Sequence, residues 1–326
     1  MTDTSRRQLL AMAGATAAIP LLGGKTSAAA PAAAEEMLLW PDGPPERLAA
    51  PLVEKFADQS HDAANRDRFV TGVGRPRLIV CRPARPNGAA VLLMPGGGYG
   101  FLSYDNEGVS QARWLNARGI TAFILLYRLP SEGWANRADV PLEDAQRAMR
   151  LIRGNAGRYG IDTQRVSVIG FSAGGHLAGS LATRHAERLY APVDAADALP
   201  ARPDLVGLIY PVVSLSAPFT HGGSRDALLG KDAPDAERQR RSVELGADER
   251  TPPCFLVHAG DDGLVPVMNG IALYSALHAK ARPAELHVFN EGGHGFGVRL
   301  GPDKPASAWP NLFCAFAESQ GTIPRG

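Results

Sequence analysis

The stretch VSVIGFSAGG, Val166 to Gly175, is an apolar run that stops at a glycine and is followed by one hydroxyl, Ser172, among small residues. A helix-like stretch, HLAGSLATRHAERL, comes directly after it. Strand, sharp turn and helix in that order lift a serine hydroxyl above the end of a sheet. Gly170 and Gly174 supply the missing side chains that such a turn requires. The plainer reading is a helix-capping serine after a buried strand. The strand before and the helix after favour the raised hydroxyl.

Outward from Ser172, short apolar runs alternate with helical patterns. Residues 77–82, 89–94, 121–129, 165–171, 205–213, 253–259 and 284–290 are rich in Val, Ile and Leu, and apolar throughout rather than alternating. Strands covered on both faces have this composition. Helices are expected over 109–119, 141–160, 265–281 and 307–320. The second opens with Pro and acids and closes with Arg and Gly, matching helix capping and dipole preferences. The alternation predicts an α/β fold with a mainly parallel central sheet and helices on both faces. Residues 214–252 break the rhythm. They are too polar for core, with weak helical patterning near 236–245, and form an excursion over the strand carboxyl ends. Either a small cap beside the site or a solvated insertion fits this composition.

A serine hydroxyl needs a base, and the base needs an orienting carboxylate. The stretch HAGDDGLVP places Asp261 and Asp262 just past one strand, and EGGHGFG places His294 just past the next. Both lie beyond strand carboxyl ends, where open α/β sheets bind ligands. One of the two aspartates is expected to cap the helix near Val265, leaving the other as the acid. The remaining histidines rank lower. His176 reads as packing behind the serine, His258 as a strand end, and His185, His278 and His287 as surface or strand positions. Ester attack creates an oxyanion, which needs N–H donors held in place beforehand. One is expected from Ala173, after the serine. The other is expected from Gly97 or Gly98 in MPGGGYG, where successive glycines let backbone amides approach an anion. No Gly-Lys-Ser/Thr follows that loop, which argues against a phosphate cradle.

The chain has 326 residues and a formal net charge of +1, so no strong field points to nucleic acid or an anionic membrane. Cys81, Cys254 and Cys314 are odd in number and widely spaced, which gives neither a disulfide framework nor metal-ligand spacing. No metal or other cofactor is expected. Residues 1–34 differ from the rest: Arg6 and Arg7, an apolar run from Leu9 to Leu22, then small residues. The run is too short to span a bilayer, and the pattern is that of an export signal. Its SRRQLL start resembles a twin-arginine signal. That implies passage through the twin-arginine machinery to the periplasm or beyond, with no stable membrane insertion of the mature chain. Residues 35–326 are then one catalytic domain.

MPGGGYG, GFSAGGHLA, HAGDDGLVP and GGHGFG, in this order, resemble the α/β-hydrolase esterases, and within them the acetyl-xylan esterase branch of carbohydrate esterases. YRLPSEGW and THGGSRDALLG are similar to that branch too, and the likeness runs from LLWPDGPP at Leu38 to the final helix. The resemblance implies an α/β-hydrolase fold, with Ser172 as nucleophile and His294 as base. It also implies Asp262 as the acid, three residues before the Val of the VP pair, and an oxyanion hole from Gly97 or Gly98 with Ala173. Many relatives have His before the glycines where this chain has Pro95. The implied substrate is a short-acyl, mainly acetyl, ester of a plant-wall oligosaccharide. The alternative is a general short-chain carboxylesterase. Tyr99, Trp134 and His221 are the expected substrate contacts, with a buried loop anchor as the other reading of Trp134. A binding protein on this fold would need a missing triad member, and none is missing.

Overall fold

The computed structural model describes residues 35–61 and 65–325. The leader read over residues 1–34 lies outside the described residues.

Eleven strands and eight α-helices are set out among the described residues. The strands are β1 (Glu35–Leu38), β2 (Lys55–Asp58), β3 (Arg68–Thr71), β4 (Arg77–Cys81), β5 (Ala90–Met94), β6 (Leu102–Ser103), β7 (Thr121–Leu126), β8 (Val166–Phe171), β9 (Val206–Ile209), β10 (Cys254–Ala259) and β11 (Ala284–Phe289). The helices are α1 (Ser110–Asn116), α2 (Val140–Gly154), α3 (Ala156–Tyr159), α4 (Ser172–Arg184), α5 (Gly222–Leu229), α6 (Asp235–Arg240), α7 (Met268–Ala279) and α8 (Trp309–Ser319).

The main sheet has the order β1-β4-β7-β5-β8-β9-β10-β11. From β7 to β11 every neighbour is parallel, while β1–β4 and β4–β7 are antiparallel. β5, β7, β8 and β10 are buried along their whole length, as their unbroken apolar runs require. β11 lies at the edge and is only partly covered. Helices pack around the sheet: α4 against β8 and β9 with α2 beside it, α1 against β7, and α8 against β10. Every expected strand has its counterpart, with shifted ends. β9 stops at Ile209, short of the expected Val213, because Tyr210 turns to φ 39° and Pro211 has no N–H to give the ladder. The expected helix over 141–160 divides at Asn155 into α2 and α3.

A second sheet, in the order β2-β3-β6, lies outside the strands expected from the sequence. Its strands are two to four residues long and mostly polar or exposed, so they carry no periodic signal. The excursion over 214–252 folds into α5, α6 and a 3-10 turn at Val243–Gly246. It is anchored rather than loosely solvated. Arg241 is buried and paired with Asp139, which also receives Arg184 at 3.1 Å. Cys81, Cys254 and Cys314 are free thiols, and burial pushes Cys254 up to about 12. No helix among the described residues is long and apolar enough to cross a membrane.

Candidate active site

Ser172 stands at the first position of α4, directly after β8, with φ 51°. A non-glycine residue in the left-handed region is strained, and such strain gathers at functional turns. The flanking glycines are set by space. A Cβ on Gly170 would lie 2.2 Å from the Gly174 carbonyl oxygen, and one on Gly174 would lie 2.1 Å from the Met94 carbonyl oxygen. Any side chain there would push α4 off the sheet.

The loops past β10 and β11 bring the partners to this turn. His294 Nε2 lies 2.9 Å from Ser172 Oγ, and Nδ1 lies 2.7 Å from Asp262 Oδ2. Nδ1–H donates to the carboxylate, which leaves Nε2 free to accept from the serine hydroxyl. Asp262 is buried, and its Oδ1 accepts the Leu264 and Val265 amides at 2.9 Å each. Burial raises its carboxyl, but His294 and these amides outweigh burial and hold it below the usual aspartate range. The two aspartates thus part company. Asp262 orients the imidazole, while Asp261 accepts the Gly293 N–H at 2.8 Å and steadies the histidine loop. Neither caps α7, whose N-cap is Val267. His258 is buried behind the acid, with Nε2 2.8 Å from the Val265 carbonyl and 3.6 Å from Asp262 Oδ2. Burial lowers its pKa. It supports the acid loop, a role its strand-end position did not reveal.

Ser172 and His294 open into a cleft of about 360 Å3 that also touches Gly97, Gly98, Phe69, Phe101, His221 and Leu264. The Gly96 N–H is taken by Glu107 Oε2 at 2.7 Å, whereas no acceptor among the described residues takes the Gly97 or Gly98 amide. Ala173 lies in the first turn of α4, where N–H groups have no intrahelical acceptor. Gly97 and Gly98 border the cleft itself, and Ala173 follows Ser172 in the chain, buried at the start of α4.

His221 is at the cleft, as expected. It caps α5, its Nδ1 accepting the Ser224 N–H at 3.3 Å and meeting Ser224 Oγ at 2.8 Å. With Nδ1 an acceptor, Nε2 carries the ring proton and is a donor. Burial, then His294, lowers its pKa. Tyr99 and Trp134 are not at the cleft, which corrects the expectation for both. Tyr99 is 1% exposed and its hydroxyl meets His176 Nδ1 at 2.9 Å beneath α4. Burial takes His176 down to about 4. Trp134 is buried with its ring 5.1 Å from the Arg128 guanidinium. Both rings bury their apolar area in the interior. The aromatic rings on the cleft wall are instead Phe69 and Phe101, stacked at 4.3 Å. Phe69 belongs to the short β3, which gave no strand signal.

The BD-FAE family model matches residues 83–277. The chain belongs to the BD-FAE family. Within this family frame, an acetylxylan esterase of Xylanibacter ruminicola is 34% identical over 69% of this chain and 44% of its own length. An endo-1,4-beta-xylanase B of Butyrivibrio fibrisolvens is 37% identical over 67% of this chain and 34% of its own. The chain thus spans less than half the length of either relative. The crystal structure of an acetyl ester-xyloside bifunctional hydrolase from Caldicellulosiruptor lactoaceticus superposes with a TM-score of 0.69 at 36% identity, covering 76% of this chain and 89% of that one. The fold is that of the α/β-hydrolase esterases.

Proposed function

We propose that the chain is a serine esterase that removes acetyl groups from xylan-type oligosaccharides through an acyl-enzyme on Ser172. The observation that carries this reading is the relay Asp262–His294–Ser172, at 2.7 and 2.9 Å, opening beside free glycine-loop amides. His294 takes the Ser172 proton as Oγ attacks the ester carbonyl. Charge gathers on the carbonyl oxygen, which the Gly97 or Gly98 amide and that of Ala173 would receive as oxyanion donors. His294 then gives the proton to the departing sugar oxygen. A water deprotonated by His294 attacks the acyl-enzyme, and acetate leaves as Ser172 regains its proton. The His221 Nε2–H supplies a neutral donor for the sugar side of the ester.

The acetyl and sugar assignment is supported by relatives named for acetylxylan and xylan activity. The twin-arginine-like start supports delivery to the periplasm or beyond, where such a polymer is met. Covalent labelling tests the nucleophile. An organophosphate ester should add one adduct by intact mass, on the peptide holding Ser172, and should label His294→Ala far more slowly. An adduct elsewhere, or full esterase turnover in Ser172→Ala, would overturn the assignment.

A further inference from the structure

We infer that Glu107 is a positioning residue that locks the oxyanion loop to the histidine loop. The inference rests on the esterase reading above. Glu107 is 3% exposed and borders the catalytic cleft. It lies in a π-helical turn, Asp105–Val109, just before α1. π-Turns recur at functional sites because they aim side chains that a regular helix would not. This one aims two neighbours at the site. Asn106 donates its Nδ2–H to the Gly295 carbonyl at 2.7 Å, beside His294. Glu107 reaches the other way.

Both Glu107 carboxyl oxygens accept hydrogen bonds from active-site elements. Oε2 takes the Gly96 N–H at 2.7 Å and Oε1 takes the Tyr210 hydroxyl at 2.9 Å. The Tyr210 oxygen in turn accepts the Gly297 N–H at 3.1 Å, and the Tyr210 ring meets the His294 ring edge-on at 4.9 Å. One carboxylate therefore ties the loop after β5, the end of β9 and the loop after β11. Gly96 has no room for a side chain, since a Cβ there would sit 2.8 Å from Ser172 Cβ. Holding its N–H sets the direction in which the following Gly97 and Gly98 amides face.

A carboxylate buried without Lys or Arg is costly to keep. No ion pair to Glu107 occurs among the described residues, and its partners are an amide and a phenol. Burial pushes its carboxyl up, against the Gly96 and Tyr210 hydrogen bonds that pull it down. A group maintained at that cost is expected where it serves the site.

The test compares wild type, Glu107→Gln, Glu107→Ala and Tyr210→Phe on 4-nitrophenyl acetate, with butylboronic acid as a tetrahedral probe of the oxyanion hole. Glu107→Gln should lower kcat by about 10- to 100-fold with KM within about twofold, because a misaimed oxyanion donor acts on the transition state. Boronate affinity should fall in proportion, while the melting temperature stays close to wild type. Glu107→Ala, which has no acceptor for Gly96, should lose more than Glu107→Gln. If Glu107→Gln fails to fold, Tyr210→Phe keeps the carboxylate and cuts its link to Gly297, and kcat should still fall by about tenfold. Turnover within twofold of wild type, or a fall in kcat with unchanged boronate affinity, would overturn the inference. A wild type inactive on every ester would remove the esterase reading and this inference with it. An active wild type with unaffected variants would remove this inference alone.

Discussion

His294 can serve Ser172 only while its Nδ1–H is held by Asp262, because the other tautomer would aim a proton at the serine hydroxyl. Asp262→Asn should therefore lower kcat by about 10^4-fold, and Ser172→Ala and His294→Ala by at least as much. Asp261→Asn should stay within about fivefold of wild type, since it keeps an acceptor for Gly293 and touches no reacting group. Steady-state kinetics on 4-nitrophenyl acetate check all four, and the reverse ranking of the aspartates would move the acid to Asp261. Ser172 and His294 were legible because each stands in a motif that a turn or a strand end demands. Asp261 and Asp262 were not separable by the residues alone, as both are short acceptors after the same strand. Only the chain path past Ala259 decides which one faces the imidazole. Glu107 carries no motif of its own, and its partners Gly96 and Tyr210 stand 11 and 103 residues away, so only the fold brings them together.

The excursion between β9 and β10 shows what sequence can and cannot assign at the scale of an element. Its polarity marked it as outside the core, and the weak pattern near 236–245 matches α6 and the 3-10 turn. Its anchorage was invisible, because Asp139 and Arg241 are 102 residues apart. Burial raises the Asp139 carboxyl, but Arg241 and Arg184 outweigh it and hold the group below its ordinary range. A depressed folded-state pKa stabilises above the unfolded value of about 3.9 and loses that contribution as pH falls through the folded value. Asp139→Asn should then cost about 3 kcal/mol at neutral pH, since it leaves two buried guanidinium groups underpaired. Urea unfolding should show the gap to wild type closing in acid below the folded value. A gap independent of pH would contradict the ion-pair account. The same element carries His221 to the cleft, so His221→Ala should raise KM for an acetylated sugar several-fold, by about 1 kcal/mol for one lost hydrogen bond. Its effect on 4-nitrophenyl acetate, which has no sugar, should be smaller.

For the whole molecule, the parallel half of the sheet was legible because strands buried on both faces must be apolar throughout. The antiparallel edge, β1-β4-β7, was not, since an apolar run carries no sign of its direction. The second sheet escaped for the opposite reason: its strands are too short and polar to announce themselves, yet β3 and β6 wall the cleft through Phe69 and Ser103. That wall bounds a cleft of about 360 Å3, at the small end for ligand sites. The acetyl-esterase reading adds the expectation that rates fall steeply from acetate to octanoate esters. The most direct test measures acetate released from acetylated xylo-oligosaccharide by wild type and Ser172→Ala, beside 4-nitrophenyl acetate, butyrate and octanoate. The account predicts rapid acetate release from the sugar, a sharp loss of rate beyond the acetyl ester, and no activity in Ser172→Ala. Longer esters cleaved as fast as acetate, with little release from the oligosaccharide, would contradict it.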